Sequence, residues 1–227
     1  YSDRPDHRGE LNLPPERFNA IARALDSAGF KIHVHAIGDR AIRASLDAIA
    51  QRHGSRTVTG GPRPMIVHIQ LFDSTDIARF ATLGVVASWQ ALWAFRDSYM
   101  KELTEPRIGP KRSRWQYPIA TMAKTGAIMA GGSDWFVSSL DPLQAIRVAV
   151  TRQSPDDSTD GAFFPEERVS VETMLKAYTL GGAMASDTEQ ESGTIAVGKL
   201  ADVIVLSADL RKVSPYRITT TPVIMTV

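Results

Sequence analysis

Two histidines and an aspartate, His35, His68 and Asp134, each close a short apolar run, and together they form a set able to hold a divalent metal. Over 30–37 the two-residue period of a strand puts Lys31, His33 and His35 on one face and Phe30, Ile32, Val34 and Ala36 on the other. His68 follows Met65, Ile66 and Val67, and Asp134 follows the apolar run 127–130, two glycines and a serine. As parallel strands of a β/α barrel, these runs would deliver all three polar residues to one rim, at the carboxyl ends where barrel enzymes place their sites. Two imidazoles and a carboxylate suit Zn2+ or a similar divalent ion, with water or further ligands completing its shell. The chain has no cysteine, which excludes a thiolate nucleophile and a Cys-based zinc site.

Each candidate also has an ordinary structural role. A lone histidine on an apolar strand serves equally as a hydrogen-bonded core residue, and an aspartate ahead of a helix is the usual N-cap. Asp39 keeps that cap role. For Asp134 it fits poorly, because Asp141-Pro142 is better placed to start the following helix. His33-Val34-His35 has the HxH form that presents two ligands from one face; His35 is preferred, since His33 lies about 6.6 Å deeper in the strand. His7 and His53 fall in loop and helix-end positions and are expected to be solvated. Trp89, Gln90, Trp93 and Trp135 are candidates for the walls of a substrate pocket, Trp115 lies in the same region, and core packing is the alternative for the tryptophans. Gly131-Gly132 resembles no phosphate loop closely.

The elements that must position these residues alternate helix-period segments, a glycine and a short apolar run, about four times over, as in β/α units around a parallel sheet. Pro14-Pro15 opens a helix with the apolar face Phe18, Ile21, Ala22 and Leu25, closed by Gly29. A strand over 30–37 leads through Gly38-Asp39 to a helix carrying Ile42, Leu46 and Ile49. After the loop 54–64 come a strand over 65–70, a helix from Asp73 or Ser74 ended by Gly84, and a strand over 85–90. The segment 91–117 is rich in Arg, Lys and aromatic residues and has no clear period beyond a possible short helix, as in functional lids. A short helix over 119–125, a strand over 127–130, a helix after Asp141, the polar loop 154–167 and a helix over 171–184 capped by Ser170 follow. Beyond a boundary near Glu189, Val/Ile-rich strands are expected within 193–206 and over 223–227.

Composition narrows the function classes. The 227 residues are 43% hydrophobic and 22% charged, enough for a buried core and unlike disordered, collagenous or disulfide-rich chains. Twenty-six Lys and Arg against 25 Asp and Glu leave a formal charge of +1, with the arginines scattered along the chain, so no nucleic-acid footprint is present. No run approaches the roughly 20 apolar residues of a membrane span, and residues 1–10 lack a signal-peptide core. These features predict a soluble protein, with the cytoplasm as default compartment. The chain opens on a loop-like stretch without an initiator Met, and Tyr1 is expected not to be the biological start.

His35-Ala36-Ile37-Gly38-Asp39-Arg40-Ala41, Ile66-Val67-His68 and Gly131-Gly132-Ser133-Asp134-Trp135 with Pro142 together resemble the amidohydrolase superfamily. Lys176-Ala177-Tyr178-Thr179 and the segments beginning Gly193-Thr194-Ile195 and Gly198-Lys199-Leu200 extend the likeness over nearly the whole chain. Within the superfamily it is most similar to YtcJ-like metal-dependent hydrolases, which include N-substituted formamide deformylases. The resemblance implies an α/β fold, a (β/α)8 TIM-type barrel, with a small β-sandwich domain built from flanking segments. His35 then corresponds to the strand-five ligand, His68 to the strand-six ligand and Asp134 to the strand-eight aspartate. The family's first-strand HxH pair and strand-four Lys or Glu have no counterpart, and residues 1–189 are too few for a complete barrel of roughly 250 residues. Residues 1–189 are therefore expected to supply barrel strands five to eight and residues 190–227 part of the sandwich. Unpaired strand edges would be covered by the missing N-terminal half or by a second copy in a homo-oligomer. Ala91 and Phe136 stand where the family often has Pro.

The implied chemistry is hydrolysis of a non-peptide C–N bond in a small amide or formamide-type substrate. A divalent metal, Zn2+ first among them, would lower the pKa of water and polarise the carbonyl. His35 and His68 would be ligands; Asp134, at the metal's edge, would act as general base and then acid. The alternative is a non-catalytic half-barrel or degenerate paralogue acting through association, with His35 and His68 as core residues. A non-metal α/β binding domain is a third option.

Overall fold

The computed structural model describes residues 1–52, 62–156 and 161–227. They form two compact units, Tyr1–Trp89 with Asp97–Ile128, and Gln90–Arg96 with Met129–Val227. His53, most of the expected loop 54–64 and part of the loop 154–167 lie outside the described residues.

The first unit is an α/β layer. Proline at its first position opens helix α1 (Pro15–Ser27), and Gly29 at φ +79° turns the chain back toward the sheet. Strands β1 (His33–Ala36), β2 (Met65–His68) and β3 (Val86–Trp89) are parallel, with Ala36 opposite His68 and Val67 opposite Ser88. Between them run α2 (Asp39–Arg52) and α3 (Ser74–Leu83). Burial follows the period: Ile42, Leu46 and Ile49 of α2 are fully buried, each such side chain stabilising the fold by about 1.5–3 kcal/mol. Asp73 caps α3 by accepting the Thr75 N–H, and Gly84 closes it in the left-handed region.

Several elements differ from expectation. The strands are shorter, and for β2 the cause is visible: His68 at φ +71° and Ile69 at φ +40° leave the extended region that a strand requires. On α1, Ala22 is buried and Phe18 partly so, against Ile32 and Ala48, whereas Ile21 and Leu25 stay exposed, so its apolar contact is narrower than its apolar face. Much of 91–117 is helical, with a 3-10 turn at Ala91–Trp93, a π turn at Met100–Thr104 and helix α4 (Glu105–Ser113). Gly109 at φ +73°, followed by Pro110, kinks α4 and obscures its period in the sequence. Helix α5 (Ile119–Lys124) completes the first unit.

The second unit holds β4 (Met129–Gly131) and α6 (Pro142–Thr151), the latter capped by the Asp141 carboxylate on the Leu143 N–H at 2.8 Å. The single helix expected over 171–184 is two, α7 (Val171–Tyr178) and α8 (Leu180–Ala185), broken at Thr179 (φ −111°, ψ −90°). The break brings α8 against β4 so closely that a Cβ at Gly181 would collide with the Met129 carbonyl. The antiparallel ribbon β5 (Ile204–Leu206) and β6 (Val223–Thr226) ends the chain, its side chains largely exposed. No helix among the described residues is long and apolar enough to cross a membrane.

Candidate metal centre

Backbone pairing brings His35 and His68 together. The ladder continues past the strands through Ile69 N–H to the Ala36 carbonyl and Leu71 N–H to the Ile37 carbonyl, each at 2.9 Å, which fixes the two strand ends side by side. His35 Nδ1 lies 2.9 Å from His68 Nε2, with ring centroids 4.8 Å apart and planes tilted by 57°. Two nitrogens about 2.0–2.1 Å from one ion stand about 2.9–3.4 Å apart, from right-angled to tetrahedral arrangements. The pair therefore fits a shared divalent ion, and it equally fits one imidazole donating to the other, since tautomers are free to adapt. His68 is buried, whereas His35 and His33 are exposed on the face opposite Ile32 and Ala36. The His33 ring stacks on His35 at 5.3 Å. Desolvation, then the neighbouring imidazole of His35, holds His33 below the usual histidine pKa.

Asp134 belongs to the second unit and sits in a tight turn. The Ser138 hydroxyl donates to the Ser133 carbonyl at 2.5 Å, the Trp135 N–H donates to Ser133 Oγ, and the Val137 N–H donates to the Asp134 carbonyl. These bonds hold Asp134 at φ +53°, a conformation L-residues adopt rarely and mostly where the surroundings impose it. Its carboxylate is half-buried and makes no hydrogen bond among the described residues. It caps no helix; Asp141 fills that role as expected. Asp39 opens α2, its Oδ1 accepting the Arg40 N–H and its Oδ2 paired with Arg112 at 2.6 Å.

The pocket candidates divide. Trp89 is fully buried in the first unit against Phe72, with its indole N–H unpaired among the described residues. In the second unit Gln90 is buried, Trp93 half-buried and Trp135 67% exposed. His7 is half-buried and accepts the Gly9 N–H. Tyr178 was visible only as part of a motif. Its ring fills the space left by the missing Cβ of Gly131, and its hydroxyl is buried without a partner among the described residues. Burial, followed by the Asp141 charge, pushes that hydroxyl's pKa up, so it stays protonated. Among the described residues, no group of three or more His, Asp or Glu is gathered around one point.

Comparison with known proteins gives a consistent picture. The profile of the Amidohydrolase family matches residues 1–227. Protein LONG AFTER FAR-RED 3 of Arabidopsis thaliana is 32% identical over 92% of this chain and 35% of its own. The putative amidohydrolase YtcJ of Bacillus subtilis is 29% identical over 96% of this chain and 40% of its own. The N-substituted formamide deformylase of Arthrobacter pascens is 25% identical over 89% and 36%. Among solved structures, an uncharacterized metal-dependent hydrolase from Pyrococcus horikoshii superimposes with a TM-score of 0.78 at 26% identity, covering 95% of this chain and 41% of that one. The chain thus spans well under half the length of these relatives.

Proposed function

Because this chain belongs to the amidohydrolase family, we propose that it is part of a metal-dependent hydrolase that cleaves a non-peptide C–N bond of the amide or formamide type. The observation that carries this reading is the convergence of His35 Nδ1 and His68 Nε2, 2.9 Å apart at adjacent parallel strand ends. Residues 1–189 would supply strands five to eight of a (β/α)8 barrel, and 190–227, with the β5–β6 ribbon, part of a β-sandwich. His35 and His68 would hold the ion, zinc being the divalent metal that imidazoles suit well. The chemistry such an ion supplies when bound is a lowered water pKa and a polarised carbonyl oxygen.

The protein's own residues do the rest. The Asp134 carboxylate accepts a proton from the attacking water and passes it to the departing nitrogen as the C–N bond breaks. The turn built by Ser133 and Ser138 holds that carboxylate without a competing hydrogen bond. Gln90, Trp93 and Trp135, with the segment 91–117, would select a small-molecule amide. No nucleic-acid or membrane partner and a cytoplasmic location belong to the same reading. The deformylase relative supports the formamide class.

A second reading, association without catalysis, draws on the same pair: 2.9 Å also fits an imidazole–imidazole hydrogen bond. Elemental analysis of the full-length protein separates the two. A stoichiometric divalent metal, lost in the His35→Ala/His68→Ala double variant, together with formate release from N-substituted formamides, is the expected result. Metal content unchanged in the double variant would overturn the assignment.

A further inference from the structure

The first unit holds a concavity whose arginines have no part in the proposed hydrolytic step. It has a volume of about 970 Å3, in the range of small-molecule sites. It is lined by Ile37, Gly38, Gln70 and Leu71, the residues that leave β1 and β2 just beyond His35 and His68. The segment from His7 to Leu11 lines it too, as do Leu103, Thr104, Arg107 and Ile108, which helical spacing places on one face.

Its charge is unbalanced. Five arginines, Arg8, Arg40, Arg43, Arg107 and Arg112, line it against three carboxylates, Glu10, Asp39 and Asp73. Arg112 is matched by Asp39 at 2.6 Å, and Arg43 by Asp73 at 3.4 Å and Asp76 at 2.9 Å. Among the described residues Arg40 donates to the Gly9 carbonyl and Arg107 to the Leu103 carbonyl, and neither meets a carboxylate. Carbonyls orient a guanidinium without neutralising it, and each guanidinium retains most of its five donors. Between these cations Ile37 and Leu103 remain 56% and 46% exposed, so apolar surface is uncovered beside them. Cations facing a shared concavity focus a positive potential into it, and a guanidinium fork matches a carboxylate.

We propose that this cavity binds a small organic acid: Arg40 and Arg107 take its carboxylate, and the exposed Ile37 and Leu103 cover its apolar body. That the acid is the substrate of the hydrolytic site, an N-acylated or N-formylated amino acid, rests on the reading above; the anion site itself does not.

The test is calorimetric titration of the full-length, metal-stripped protein with N-formyl-phenylalanine and with N-formyl-phenethylamine, which differs by lacking the carboxylate. The acid is expected to bind at least about tenfold tighter, and Arg40→Gln/Arg107→Gln to abolish that preference without changing the thermal melt. Equal affinity for the two probes, no binding of either, or a preference that survives the double variant would overturn the proposal. Formate release from each probe by the metal-loaded protein tests the hydrolytic reading separately. Turnover of either without a carboxylate preference sinks the anion site alone, and a carboxylate preference with no turnover of either probe sinks the hydrolytic reading alone.

Discussion

His35 Nδ1 and His68 Nε2 face each other across 2.9 Å although the two residues are not register partners: His68 pairs with Ala36, and His35 with Val67. The contact arises because His68 turns out of the strand at φ +71°, which swings its ring back toward its neighbour.

This geometry predicts unequal roles for the three histidines. His68→Ala should weaken metal binding by at least the roughly 10–100-fold that outer partners of a metal site contribute, whereas His33→Ala, which removes only a stacked ring at 5.3 Å, should leave metal content unchanged. Titration of each full-length variant with Zn2+ distinguishes them; loss of metal in the His33 variant would reassign the ligand.

Asp134→Asn keeps the shape of the turn, whose bonds run through Ser133, Ser138 and the backbone, but removes the proton acceptor. Turnover is expected to fall by about 10²–10⁴-fold with the circular dichroism spectrum unaltered. Near wild-type kcat would remove Asp134 from the reaction.

Much of this was legible in the sequence for a physical reason. Period-2 alternation fixed which face of β1 carries His33 and His35, and Asp73, Asp141 and Ser170 mark helix starts because their side chains satisfy free N–H groups. What local pattern misses is set by contacts remote in sequence. The break at Thr179 goes with the packing of α8 on β4, where a Cβ at Gly181 would meet the Met129 carbonyl, a contact remote in sequence. The helical character of 100–113 was hidden by Pro106, Gly109 and Pro110, and the arginine-lined cavity gathers residues from Arg8 to Arg112, which no sequence window contains.

Between α2 and α3 lies a carboxylate that charge counts do not single out. The Asp76 side chain is 2% exposed and accepts from Arg43 Nε and Arg79, each at 2.9 Å. Its removal takes away two charge-assisted bonds while both arginines, partly exposed, can rehydrate. Asp76→Ala should therefore cost about 1–3 kcal/mol in denaturant unfolding. Asp47→Ala, which removes an exposed partner of Arg79 at 2.7 Å, should cost less than about 1 kcal/mol. Equal losses would mean that burial of Asp76 contributes nothing.

The cap of α3 makes stability depend on acid. The Thr75 hydroxyl donates to Asp73 Oδ1 at 2.7 Å and the Thr75 N–H at 3.0 Å, and these bonds, before the more distant Arg43, hold the Asp73 carboxyl below its usual range. A carboxyl with a depressed folded pKa stabilises the fold fully above its unfolded pKa of about 3.9 and loses that contribution as pH falls through the folded value. Asp73→Ala should thus cost about 1 kcal/mol at pH 7, with the gap between variant and wild type closing below about pH 4. Urea unfolding of both proteins from pH 7 to pH 3 measures it; a gap that persists unchanged at pH 3 would show that the cap acts through shape and not through its charge.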